Sequence, residues 1–168
     1  LGNDNNASAF TEANADTSVA LSGTAANIAF DTAGNAWVSY VDATTNYASI
    51  AKHDFASGWT TGWTTYNNSN IGSEPSLALK GTKAYLFYTD DASDIVYDVY
   101  DSGWAGETVL AAGTFQDVKT KWSYNFNNQG NLRIGYLYSE GAGGDVWWNN
   151  LIFGSESTGT IAANNFNI

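Results

Sequence analysis

The stretch Asn27–Asp42, NIAFDTAGNAWVSYVD, holds an apolar run, a tight turn around Gly34 and a second apolar run reaching Tyr40. It returns twice. Ser76–Asp90 reads SLALKGTKAYLFYTD, with Gly81 in the turn and Tyr88 near the end. Ser123–Tyr138 reads SYNFNNQGNLRIGYLY, with Gly130 and Tyr136 in the same places. Tyr40, Tyr88 and Tyr136 each follow the last by 48 positions. Three features recurring in one order at one interval mark an internally repeated fold. The short Gly-, Asn- and Asp-bearing connections are those of antiparallel hairpins, because these residues tolerate the positive φ of tight turns.

Outward from the hairpin, each tyrosine is followed by an acidic loop of small residues: Asp42–Asn46, Asp90–Asp94 and Ser139–Asp145. A third strand is predicted at Tyr47–Asp54, Ile95–Asp101 and Val146–Phe153. The first two copies close on Ser-Gly-Trp, at Ser57–Trp59 and Ser102–Trp104, and a shorter fourth strand is expected near Thr60–Tyr66 and Glu107–Ala111. The unit is thus a three- or four-stranded meander, repeated over about 26–71, 75–115 and 122–155 of one all-β domain, 1–168. In Ala36–Tyr40 and Ala84–Tyr88 nearly every side chain is apolar or aromatic. One buried face would account only for alternate positions, so these strands are predicted to lie between two sheets. Pro75, the only proline, stands just before the second repeat's first strand, where a missing N–H costs little.

Units of 40–50 residues with four strands are the blades of β-propellers. The expected fold class is therefore all-β, with antiparallel meander repeats as propeller blades; a β-sandwich is the alternative. Three blades do not close a ring. The terminal segments 1–24 and 156–168 are long enough for further strands and could form a composite blade. Otherwise a longer chain, or a second copy in a homo-oligomer, would complete the ring. The turn DTAGNAW, Asp31–Trp37, resembles the Asp-box of sialidase-like, BNR-type propeller repeats. Asp31 and Gly34 fall where that motif wants them, and Trp37 supplies its aromatic. The second repeat has Leu79 or Lys80 in place of the Asp, and the third has Asn127 and Asn128. The resemblance runs from Ala26 to Phe153 and implies a propeller and an exported protein, not sialidase activity.

Composition removes several function classes. Six basic residues face seventeen acidic ones, a net charge of −11, so nucleic acid and anionic membranes would be repelled. There is no cysteine, hence no disulfide and no thiolate metal site. No run of eighteen apolar residues could span a bilayer as a helix, and no stretch has the layout of a signal peptide. The chain begins at Leu1, which reads as a processed product or a piece of something longer. Richness in Asn, Thr, Ser, Gly and aromatics with few lysines fits a secreted or surface-displayed protein.

Candidate chemistry is sparse. Sialidase-type carboxylate binding needs an arginine cluster, and the chain has Arg133 alone. Asp42, Asp90 and Glu140 occupy matching loops and are the carboxylates a glycoside hydrolase could use. An Asp after a strand is also a favoured turn residue, because its carboxylate caps nearby backbone N–H groups. Asp90, Asp91 and Asp94 are hard oxygen ligands of the kind Ca²⁺ takes, so calcium is the one cofactor the sequence offers. The lone His53 is expected exposed at a strand end, with no zinc or Ser-His-Asp partners. Trp63, Trp147, Trp148 and Tyr138 are the residues best suited to a ligand, since an aromatic ring stacks on a sugar's C–H face. Trp147 and Trp148 are neighbours on a strand, so they are predicted to point to opposite faces. Trp59 and Trp104 read instead as wedges between blades. The leading expectation is a non-enzymatic module that recognises glycans or a protein partner. The alternatives are a fragment of a propeller glycoside hydrolase or lyase, and a structural domain of an adhesin, filament or particle coat.

Overall fold

The first two hairpins of the sequence are hairpins of the structure, and the third turn, around Gly130, lies outside the described residues. The computed structural model describes residues 23–54, 63–124, 132–140, 144–153 and 159–167, and every regular element in them is a strand. The first sheet runs β1 (Gly23–Phe30), β2 (Ala36–Asp42), β3 (Tyr47–His53) and the first half of β4 (Trp63–Lys80). The second half of β4 opens the next unit, followed by β5 (Lys83–Asp90), β6 (Ile95–Tyr100) and β7 (Thr108–Ala111). The third is β8 (Asp117–Tyr124), β9 (Leu132–Ser139), β10 (Val146–Phe153) and β11 (Gly159–Asn167). All pairings are antiparallel between chain neighbours, so each unit is a four-stranded meander. Gly34 (φ +86°) and Gly81 (φ +60°) make the first two hairpin turns in the left-handed region, where a Cβ would be strained.

The three units stack face to face. Along β5, Ala84, Leu86 and Tyr88 point one way, into a core shared with Trp37, Ala48 and Ile50 of the first unit. Tyr85 and Phe87 point the other way, into a core shared with Val118, Ile134, Tyr136 and Tyr138 of the third. The continuous apolar run of β5 is thus explained by burial on both faces, with Leu86, Phe87 and Tyr88 all 0% exposed. Each such side chain contributes about 2 kcal/mol of transfer free energy. Among the described residues no strand pairs the third unit back to the first, so the sheets are not closed into a barrel.

β4 departs from expectation in being one strand through Pro75. The join between the first two repeats was expected between residues 71 and 75. The chain keeps pairing through it and hands over from β3 to β5 between Ile71 and Gly72. The register shifts between Ser73 and Ser76, and such a bulge tolerates the absent proline N–H. Ser69 (φ +67°) and Glu74 (φ +49°) take up the bend in left-handed conformations that cost non-glycine residues on the order of 1 kcal/mol or more. Ser39 Oγ donates to Pro75 O at 3.2 Å, tying the bend to the first unit. On the other side Thr120 N donates to Ser76 Oγ at 3.0 Å, and the two hydroxyls lie 2.9 Å apart. The opening strands of the second and third units are therefore neighbours.

Two further placements differ from or extend the sequence reading. His53, expected at the surface, is 1% exposed: it ends β3 opposite Ala36, which is equally enclosed. Residues 159–167, one half of the expected composite blade, pair with β10 as the third unit's fourth strand. The other half, up to residue 22, lies outside the described residues.

Candidate functional site

Strand alternation on the third unit sorts its residues into two faces. Val118, Tyr138 and Trp147 are cross-strand partners on the face turned to the second unit, and the Trp147 ring packs against that core. On the opposite face lie two cross-strand rows: Asp117, Ser139 and Val146, and beside them Lys119, Leu137 and Trp148. A groove of about 290 Å³ opens here, lined by Asp117, Lys119, Leu137, Ser139 and Val146 and bordered by Tyr138. Leu137 and Val146 are 40% and 41% exposed, and Trp148 beside them is half-buried.

The groove's polar margin is a charge cluster built from two units. Lys119 Nζ lies 2.8 Å from Asp117 Oδ1 and 3.3 Å from Glu74 Oε2, across 45 residues of chain. Both carboxylates reach one ammonium, so their nearest oxygens are within about 6 Å of each other. Burial pulls the Lys119 ammonium down, but Asp117 and Glu74 outweigh it and hold the group above its usual value. The Asp117 Oδ1 atom is shielded from solvent, and its contact with Lys119 is ionic rather than a well-directed hydrogen bond. On the face turned to the second unit, Trp147 Nε1 donates to Glu140 Oε1 at 3.1 Å. Burial, with the Glu140 charge second, raises the Tyr138 phenol above its usual range.

The other predicted site residues are placed as follows. Asp42 Oδ1 accepts from the N–H groups of Thr44 and Thr45, both at 2.9 Å. Those bonds hold its carboxyl below the ordinary value. Asp90 Oδ1 accepts from Asp94 N at 2.7 Å, and Asp94 Oδ1 from Gly113 N at 2.8 Å. Asp42 and Asp90 act as turn caps where they stand, and Asp94 ties its loop to Gly113 further along the chain. Asp91 is exposed, and no set of three acidic or histidine side chains among the described residues converges as a metal site. Trp63 opens β4 opposite His53, and its side chain lies outside the described ones, as does that of Arg133. Asp42, Asp90 and Glu140 sit on three different units. The structure groups Glu140 with Trp147 and Tyr138, and puts Trp148 on the groove face.

Sequence reasoning missed Glu74 and Lys119. Only the positive φ of Glu74 and its apposition to β8 single them out, and the letters Ser-Glu-Pro-Ser announce neither. It also missed an aromatic layer at the opposite end of the first and second units. The rings of Tyr66 and Tyr100 lie 4.3 Å apart, Tyr100 meets Trp104 edge-on at 5.3 Å, and Lys52 Nζ sits 5.1 Å above Trp37. These rings, Trp104 among them, pack against the core between the first and second units. Asp31 secures the same layer. Its Oδ1 accepts from Ala33 N and Asn35 N, and its Oδ2 from Asn35 Nδ2 and from Trp37 Nε1 at 3.1 Å.

No family model matches the chain, and no curated protein matches it. Among solved structures it is similar in fold to an exo-β-1,3-galactanase from Clostridium thermocellum, with a TM-score of 0.55 and 14% sequence identity. The match covers 83% of this chain and 33% of that one, so this chain spans about a third of the galactanase's length. The likeness is one of all-β architecture. In the described residues no helix is long and apolar enough to cross a membrane.

Proposed function

We propose that this protein recognises glycans through the exposed face of its third unit, as a binding module rather than through a catalytic centre of its own. The observation that carries the reading is the groove beside Trp148. Aliphatic side chains of Leu137 and Val146 form its apolar part, and Ser139, Asp117 and Lys119 stand at its edge. A pyranose ring needs this pairing, an apolar surface for its C–H face and hydrogen-bonding groups for its hydroxyls. The carbohydrate-active neighbour supports the ligand class. Asp42 and Asp90 are engaged as turn caps, which favours binding over hydrolysis by these residues.

The three stacked units read as consecutive blades of a propeller arc. A two-layer sandwich leaves the outer face of each sheet open, whereas the middle unit here is covered on both sides. Display outside the cell, with further blades supplied by more chain or by a second copy, completes the proposal. A segment of a larger glycan-cleaving enzyme is the second reading, favoured by the galactanase likeness and by the fraction of that chain matched.

A glycan array probed with the chain, followed by NMR or calorimetric titration of each hit, tests the proposal. Binding that Trp148→Ala and Leu137→Asp abolish, with the fold retained, is the expected result. No hit across neutral and charged glycans, or hits untouched by both variants, would overturn it.

A further inference from the structure

The charges around the groove are unequal. Glu74 and Asp117 stand against Lys119, an excess of one negative charge at its margin. Lys119 is already held by two carboxylates, 2.8 and 3.3 Å away, so it has little remaining attraction for an incoming anion. The Lys119, Asp117 and Glu74 side chains are each about half-exposed, so their field acts at the groove and is screened by salt. The rest of the chain, at −11, adds to the same field. Glu74 is not where the local backbone would place it: its φ of +49° turns it off the regular strand at the bulge before Pro75, and its carboxylate meets β8. Two separate units thus contribute acids to one rim.

Resting on the glycan reading above, we propose that this groove selects uncharged pyranose oligosaccharides and rejects those bearing uronate, sialate or sulfate groups. Asp117 and Glu74 are the specificity-determining residues, and Lys119 holds both in place. Like charge against like at a partly desolvated rim works by exclusion, which discriminates without strengthening any contact to the accepted ligand. The neutral sugar's hydroxyls donate to the carboxylate oxygens left free by Lys119. An anionic group would have to approach those oxygens unpaired.

The test uses matched hexasaccharide pairs that differ only at C6, glucose against glucuronate and galactose against galacturonate, titrated at low and high salt. The expected result is neutral members bound at least about tenfold more tightly than their uronates at low ionic strength, with the gap narrowing as salt screens the rim. Asp117→Asn and Glu74→Gln should each close much of that gap, read as the ratio of neutral to uronate affinity, with melting little changed. Equal binding of neutral and uronate members by the native chain would overturn the selectivity and leave the glycan reading standing. Binding of no member, together with an empty array, would remove the glycan reading and this inference with it. A gap that survives both substitutions would overturn the assignment to these two acids.

Discussion

The indole Nε1 of Trp37 donates to the carboxylate of Asp31 at 3.1 Å, and this one bond joins a surface turn to the core between the first two units. The carboxylate also accepts from two backbone N–H groups and from Asn35, so a single side chain organises the whole turn. Asp31→Ala removes all four bonds and leaves the buried indole N–H unpaired. It should cost about 2 kcal/mol, read as a fall in Tm of roughly 4–8 °C.

Burial alone would raise the Asp31 carboxyl, but the bonds from Trp37, Asn35 and Ala33 outweigh it and hold the group below its usual 3.8. With the folded pKa depressed, the stabilisation is present above the unfolded value and is lost as pH falls through the folded one. Melting curves from pH 6 to pH 2 should show the native chain losing stability below about pH 4. Asp31→Asn should show a shallower loss over the same interval.

The buried tyrosines set the alkaline limit. Tyr88 OH donates to Glu107 Oε2 at 2.7 Å and accepts from Asn70 Nδ2 at 3.1 Å, inside a fully enclosed ring site. Burial, followed by the bond to Glu107, pushes this phenol far above 10, and burial does the same for Tyr136. A raised folded pKa means stability that is intact below the unfolded value near 10 and declines above it. Phenolate absorbance should therefore rise gradually for the exposed tyrosines, then jump as the chain unfolds. Gradual ionisation of all ten tyrosines in a folded chain would contradict the burial.

Trp147 and Trp148 should separate stability from binding. Trp147→Ala removes core packing and the bond to Glu140, and should cost about 3 kcal/mol in chemical denaturation. Trp148→Ala, on the groove face, should cost less than Trp147→Ala and abolish glycan binding. Equal destabilisation by both substitutions would contradict their opposite placement.

Gly72 marks the handover point of β4. A Cβ there would meet the Tyr88 ring at 2.5 Å and Ala48 Cβ at 3.0 Å, both packed in the core between the first two units. Gly72→Ala should destabilise by about 1–3 kcal/mol. Gly103, with open space around its Cβ position, should accept alanine with little change.

Much of this architecture could be read from local chemistry. Gly34 and Gly81 announce their turns because few other residues accept that backbone. The unbroken apolar run Ala84–Tyr88 announces burial on two faces, and both cores are found there. The opposite faces of Trp147 and Trp148 follow from a period of two. His53 was misread because a polar residue at a strand end looks solvated when its neighbours in space are unknown. The join between the first two repeats, expected between residues 71 and 75, runs as one continuous strand because a bulge absorbs the missing proline N–H.

The amino-acid sequence by itself determined the repeat, the hairpins, the acidity and the absence of thiol chemistry, all of which depend on residues close in the chain or on composition. Only the tertiary structure decided that Asp42 and Asp90 cap turns, that Glu74 meets Lys119, and that Leu137 and Val146 line a groove. The reason is distance along the chain. A side chain's partner across 45 residues is set by how sheets stack, and stacking is a sum over many apolar contacts that no local pattern specifies.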